Sequence, residues 1–215
     1  MQQKEVLSQK KEEQEQPLEA LILKVYSKKQ ITDDVRKWSK HFLEVPNLHL
    51  GGVPACPFAK KAWLDKKVIV ETKRKNRWYK TELNSHLDKL DLEKHDILIF
   101  CDPYYNYSLQ DFQDIIDAYN SWYNKKDIYF MGFHPHNPAN EEEQEFLVSP
   151  SGETPVVDSD IAYSMMLIQK FSQLQEASDK LHRQGYYKLW PKEYYRDVVV
   201  SRQKTYRRIF GGQNV

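Results

Sequence analysis

The sequence predicts an α/β or α+β fold: a small, mostly parallel sheet with flanking helices, closed by two C-terminal helices. Short apolar runs at "KKVIVETK", "HDILIFCD" and "DIYFMGFH" read as strands; in the first, Val68, Ile69 and Val70 are clustered and β-branched. Helical periodicities lie between them. The resulting order, strand-helix-strand-helix-strand, favours parallel pairing through right-handed crossovers.

In chain order, residues 1–17 are Gln, Glu and Lys with almost nothing to bury, and read as a solvated tail or frayed helix ahead of a single α/β domain over 18–215. "LEALILKVYSKK" is a helix or an edge strand. "ITDDVRKWSKHFLE" reads as a helix capped by Thr32 or Asp33, with Val35, Trp38 and Phe42 at helical spacing and Pro46 as its stop. "NLHLGG" and "VPACP" form a loop. "PFAKKAWL" then makes a short helix with Pro57 in its first turn and Cys56 as N-cap.

The strand "KKVIVETK" follows, and "RKNRWYKTE" could close a hairpin with it, which is the α+β alternative. "LNSHLDKLDLEK" is a helix with Leu83, Leu87 and Leu90 on one face. "LQDFQDIIDAYNSWYN" is a helix with Leu109, Phe112, Ile115, Ile116 and Tyr119 in one stripe. After residue 134 the segment "HPHNPANEEEQEFLVSPSGETPVVD" is long, polar and Pro-rich, in the manner of a functional loop or lid. "DSDIAYSMMLIQKFSQLQEASDKLHRQG" reads as one helix, capped at Asp158 or Ser159 and stopped by Gly185. "PKEYYRDVVVSRQKTYRRIFGG" reads as the last, with Pro191 in its first turn and Gly211 past its end.

Composition narrows the function classes. The 215 residues carry 32 Lys and Arg against 31 Asp and Glu, which gives no electrostatic reason to expect nucleic acid or an anionic membrane as partner. Two cysteines are too few for a disulfide framework, and the start lacks the apolar core of a signal peptide. No apolar run approaches a membrane span. The expectation is a cytoplasmic chain with reduced thiols and a small-molecule substrate. A Gly-rich phosphate loop, a Gly-x-Ser-x-Gly elbow and a Cys-x-x-Cys pair are all missing from the sequence.

Two stretches carry chemistry. A thiol at Cys56 would see the positive end of a helix dipole, with Lys60 and Lys61 within one turn. Both effects favour thiolate, the form that attacks electrophiles and binds metals. The competing reading is a small apolar filler under a loop. The second stretch is "GFHPHNP". Ligands of open parallel sheets bind beyond the carboxyl ends of the strands. His134 and His136 follow the third strand there, and Asp102 follows the second, so adjacent parallel strands would bring Asp102 and His134 together. His-x-His in extended chain points both rings one way, as a metal pair requires, and Glu141, Glu142 and Glu143 could add oxygen. The competing reading is a loop histidine bonded to a carbonyl. Arg207 or Arg208 could bind a carboxylate or phosphate from the last helix.

"NLHLGGVPACPFAKK", the Trp-bearing "VRKWSKHFLE", Phe133-His134-Pro135, Ser149-Pro150 followed by "YSMMLIQ", and "VSRQKTYRRI" come in that order over most of residues 35–211. In this the chain resembles an uncharacterised bacterial domain-of-unknown-function family with Cys-Pro-Phe-Ala-Lys and Phe-His-Pro motifs. It departs by the insertion Leu50 to Ala55, by His136, and by lacking a His-Leu-Leu-Arg-Glu run. The resemblance supplies no reaction, but implies that Cys56 and His134 share one site.

The functional expectation is therefore a small-molecule enzyme doing oxidative chemistry at a transition-metal or haem centre. Cys56, His134 and His136 are its candidate ligands, Cys56, His134 and Asp102 its candidate catalytic groups, and Lys60 and Arg207 its candidate cofactor contacts. A metal-free Cys-His nucleophilic enzyme is the first alternative, and a non-catalytic binding or accessory protein the second.

Overall fold

The computed structural model describes residues 26–134 and 163–211. The 1–17 tail, most of "LEALILKVYSKK", the 135–157 loop with His136 and the Glu141 to Glu143 run, Ser149 and Pro150 lie outside the described residues.

The first helix, α1 (Lys28–Trp38), is capped by Ser27, whose Oγ accepts the Gln30 N–H at 3.1 Å. Thr32 and Asp33 sit inside it, and the Thr32 hydroxyl is used up by donating to the Lys28 carbonyl at 2.8 Å. A π-helical turn, Ser39–Leu43, extends α1. Pro46–Asn47 (β1) and Val53–Pro54 (β2) then pair as a minute antiparallel hairpin. Gly51 and Gly52 turn its tip at φ 73° and 79°, a region most side chains avoid.

Ala59–Leu64 (α2) leads into β3 (Val68–Thr72), followed by α3 (Tyr79–Leu87), β4 (Ile97–Asp102), α4 (Leu109–Tyr123) and β5 (Ile128–Phe133). The segment "RKNRWYKTE" turns directly into α3 and makes no hairpin with β3. At the start of α4, Ser108 Oγ accepts the Asp111 N–H and Asp111 returns a carboxylate to the Ser108 N–H, both at 3.1 Å.

The expectation of one helix over 158–185 is corrected. Among the described residues of that stretch, Ser164–Lys170 form a strand, β6, and Phe171–Arg183 a helix, α5. β6 inserts in the middle of the sheet, whose order is β3-β4-β6-β5. β3 and β4 are parallel, while β6 is antiparallel to both β4 and β5. The sheet is therefore mixed, not mostly parallel, and the α/β class stands. "SMMLIQK" misleads because it is buried on both faces, so it shows no period-2 alternation, and no turn residue separates it from α5.

Both faces of the sheet are covered. On one, Ile31, Val35, Trp38 and Phe42 pack on Val70, Ile99, Cys101, Met165 and Leu167. On the other, Tyr79 and Leu83 of α3 and Phe112, Ile116 and Tyr119 of α4 pack on Leu98, Phe100, Phe130, Met166 and Ile168. Each such aliphatic or aromatic side chain contributes about 1.5–3 kcal/mol by leaving water. The chain closes with α6 (Lys192–Tyr195), a π-helical turn (Arg196–Val200) and α7 (Ser201–Phe210). There a third, smaller cluster of Leu50, Trp190 and Val199 binds the β1–β2 hairpin to the C-terminal helices.

Candidate functional site

At the carboxyl edge of the sheet, β4 ends on Asp102 and β5 runs out into His134. The amino end of β6 enters between them, with Ser164 opposite Asp102. Beyond β3, the Lys73 N–H donates to the Cys101 carbonyl at 2.8 Å and so carries Lys73 alongside Asp102. Asp102 is 1 % exposed. Its Oδ1 accepts the Tyr104 N–H at 2.9 Å and lies 3.5 Å from Lys73 Nζ. Its Oδ2 accepts from the Tyr107 hydroxyl at 3.3 Å. Tyr107 Oη is 2.5 Å from Ser164 Oγ, so with Tyr107 donating to the carboxylate, Ser164 donates to Tyr107.

Burial sets the electrostatics. It pushes the Asp102 carboxyl above its ordinary range, although Lys73, the Tyr104 amide and Tyr107 all pull it down. Burial, then the Asp102 charge, pushes the Tyr107 phenol up. His134 is 5 % exposed and packs edge-on to Tyr105 at 5.1 Å, with Phe112 at 5.7 Å. Its Nε2 lies 3.3 Å from the Tyr107 carbonyl. A carbonyl only accepts, so Nε2 is the donor in this contact.

Asp102 and His134 thus meet through Tyr107, although β4 and β5 are not neighbours. Tyr107 is the residue that sequence reasoning missed. The signal was present: Asp-Pro followed by "YYNYS" at a strand's end is an Asx-type turn that folds aromatic side chains back over the edge.

Cys56 lies on the segment between β2 and α2. Its N–H donates to the Leu43 carbonyl at 2.9 Å, and Glu44, Tyr186 and Tyr187 face its thiol. The helix expected to start at Pro57 starts at Ala59 with Phe58 as its cap, so Cys56 is not an N-cap. Burial raises the thiol above its ordinary value; the Phe58 and Ala59 amides that point at the sulfur pull it down, and Glu44 adds to the rise. The shift runs opposite to the direction expected of a helix N-cap, because loss of water outweighs two amide dipoles. Lys60 is exposed on α2, and Lys61 is paired with Asp65. Arg207 is exposed on α7, where its carbonyl accepts the Gly211 N–H at 2.8 Å.

Native chain treated with excess iodoacetamide at pH 7 should react slowly at Cys56, with the rate climbing as pH passes the ordinary thiol value of 9.0. Cys101 is fully buried in the core and should stay silent. Rapid alkylation at mildly acid pH, lost in Cys56→Ser, would restore the thiolate reading.

The residues that fix Cys56 (Leu43, Glu44, Tyr186, Tyr187) differ from those that fix His134 (Tyr105, Tyr107, Phe112). Among the described residues, no group of three His, Cys, Asp or Glu side chains stands ready to hold a metal ion. His136, the third expected metal ligand, lies outside the described residues. Among the described residues, no helix is long and apolar enough to cross a membrane. Compared with family models, curated proteins and solved structures, the chain matches none of them. Fold and site define an α/β protein with a buried Asp-Tyr-His cluster at the carboxyl edge of a mixed sheet.

Proposed function

We propose that this chain is an enzyme that acts on a small molecule at the carboxyl edge of its sheet, with His134 as the group that moves a proton. The observation that carries the reading is the fixed ring of His134. The Tyr107 carbonyl holds its Nε2, and aromatic rings exclude water around it. The imidazole then takes a proton from a bound substrate and returns it at a later step. Asp102 and Tyr107 are positioning residues: the carboxylate anchors the turn whose carbonyl orients the imidazole. A charge that costs stability where it is buried fits a site better than a scaffold.

The test combines turnover with stability. The purified full chain is incubated with a panel of small polar metabolites, and their consumption is followed by proton NMR. A compound consumed by the wild type should survive with His134→Gln. Asp102→Asn should remove the share of the pH dependence of stability that this carboxyl causes. The sign follows from linkage. A carboxyl raised above its unfolded value of 3.8 contributes stability that is present below that value and lost as pH rises through the folded one. The same variant should lower turnover and shift its pH profile, because the imidazole loses its fixed orientation. Turnover unchanged in His134→Gln would overturn the reading, and no consumption of any compound would favour a non-catalytic binding protein. Metal content and visible absorption of the same preparation decide the oxidative version. A stoichiometric transition metal or a haem band, lost in Cys56→Ser and His134→Gln, would establish it.

A further inference from the structure

Arg202 lies on the buried face of α7, 6 % exposed, and none of the chemistry above uses it. Its Nη2 donates to Ser178 Oγ on α5, which lies 3.1 Å from the Tyr187 hydroxyl. The phenols of Tyr129 and Tyr187 face it as well. Among the described residues, its Nε has no hydrogen-bond partner. Among the described residues, no carboxylate reaches it at ion-pair distance; Asp179 faces it from farther off, and one Asp179 oxygen is already taken by Gln175 Nε2 at 2.8 Å. Among the described residues, two more buried polar atoms lack partners, Gln175 Oε1 on α5 and Trp190 Nε1. Trp190 stacks edge-on to Tyr187 at 4.9 Å.

An arginine does not shed its proton to escape burial. A guanidinium out of water without a counter-charge is among the costliest groups a fold can hold, and buried charges are normally paired. Hydroxyls of Ser178 and Tyr187 offer dipoles, not charge. The planar fork of Arg202, with Nε open, matches two oxygens of one anion.

We propose that Arg202 binds the oxyanion of a small ligand, a carboxylate or a phosphate, in the seam between α5, the turn at Tyr186–Leu189 and α7. Ser178 and Tyr187 supply the flanking hydroxyls. The seam adjoins the Cys56 loop, since Tyr187 faces both Arg202 and the Cys56 thiol. This site is separate from the Asp102 and His134 cluster, and its test does not depend on that reading.

The full chain is titrated in a zwitterionic buffer, with chloride holding ionic strength constant, by inorganic phosphate in one arm and acetate in the other. Melting temperature and, for phosphate, phosphorus NMR line width are read. The expected result is a saturable rise in melting temperature with one or both anions; the arm that saturates first names the chemistry. Arg202→Met keeps most of the volume without the charge. It should abolish the response while melting no lower than wild type in anion-free buffer. Ser178→Ala keeps the charge and should weaken the response by about tenfold, as loss of one flanking hydroxyl implies. If Arg202→Met does not fold, Arg202→Lys and Ser178→Ala carry the test, each with a weakened response. Wild-type melting indifferent to both anions at constant ionic strength would overturn the proposal. So would a response that survives in the folded Arg202 variant.

Discussion

Phe100→Ala is expected to cost about 3–5 kcal/mol, the range for emptying a buried aromatic site. Phe100 is 0 % exposed in the middle of β4, opposite Glu71 on β3 and Met166 on β6. Its ring meets Tyr79 edge-on at 5.3 Å and lies 5.6 Å from the His86 ring. Truncation opens a void on the face that α3 and α4 cover, where none of these side chains can collapse without moving a strand or a helix. For a domain of this size, the melting temperature should fall by about 6–20 °C. Trp78, larger but 85 % exposed at the start of α3, is the control: Trp78→Ala should change stability by no more than about 0.5 kcal/mol. A Phe100→Ala chain that melts like the wild type would mean that α3 and α4 do not pack on this face.

That contrast between Phe100 and Trp78 shows what a sequence pattern can and cannot carry. "HDILIFCD" is legible as a strand because its apolar run is short and bounded by charges. The α4 stripe is legible because one helix face is buried and the other is wet, and its buried members are Phe112, Ile116 and Tyr119. β6 is illegible for the opposite reason. A central strand sees protein on both sides, so nothing in "SMMLIQK" marks which side chain faces which cluster. Met166 and Ile168 in fact face α3 and α4, while Met165 and Leu167 face α1. Missing β6 hid the antiparallel strand that separates β4 from β5.

The site was legible only in part. A histidine and an aspartate after neighbouring apolar runs point to the carboxyl edge without any knowledge of strand order, and Asp102 and His134 are both found there. Tyr107 connects them, by its hydroxyl to Asp102 and by its backbone carbonyl to His134, and only the Asx-type turn that places it is legible in the sequence. At Cys56 the dipole argument needed a helix boundary correct to one residue, and the boundary falls two residues later than Pro57. It also left out burial, which depends on Tyr186 and Tyr187, more than a hundred residues further along the chain.

Gly51→Ala is expected to have the other large effect, and it joins the hairpin to that cysteine. Gly51 holds φ 73°, and a Cβ built there would lie 2.1 Å from Leu189 Cβ. Leu189 Cβ is fixed to its own backbone, so no rotamer change relieves the contact; the hairpin and the turn at Tyr186–Leu189 must move apart. Left-handed backbone costs an alanine about 1–2 kcal/mol, and forcing two packed segments apart adds about 1–3 kcal/mol. Gly52 separates the two terms. It holds a similar φ of 79° but has nothing within 4 Å of a built Cβ, so Gly52→Ala should show the backbone cost alone. The hairpin leads directly into Cys56, and the Tyr186 hydroxyl donates to the Pro54 carbonyl across the same contact. Parting the two segments therefore lets water reach the sulfur. Iodoacetamide should modify Cys56 faster in Gly51→Ala than in wild type or Gly52→Ala at the same pH, because the burial that raises the thiol is relieved while the Phe58 and Ala59 amides still point at it. Equal losses of stability in the two variants, with equal alkylation rates, would mean that the hairpin does not seat on the C-terminal turn and that the Cys56 thiol is raised by something else.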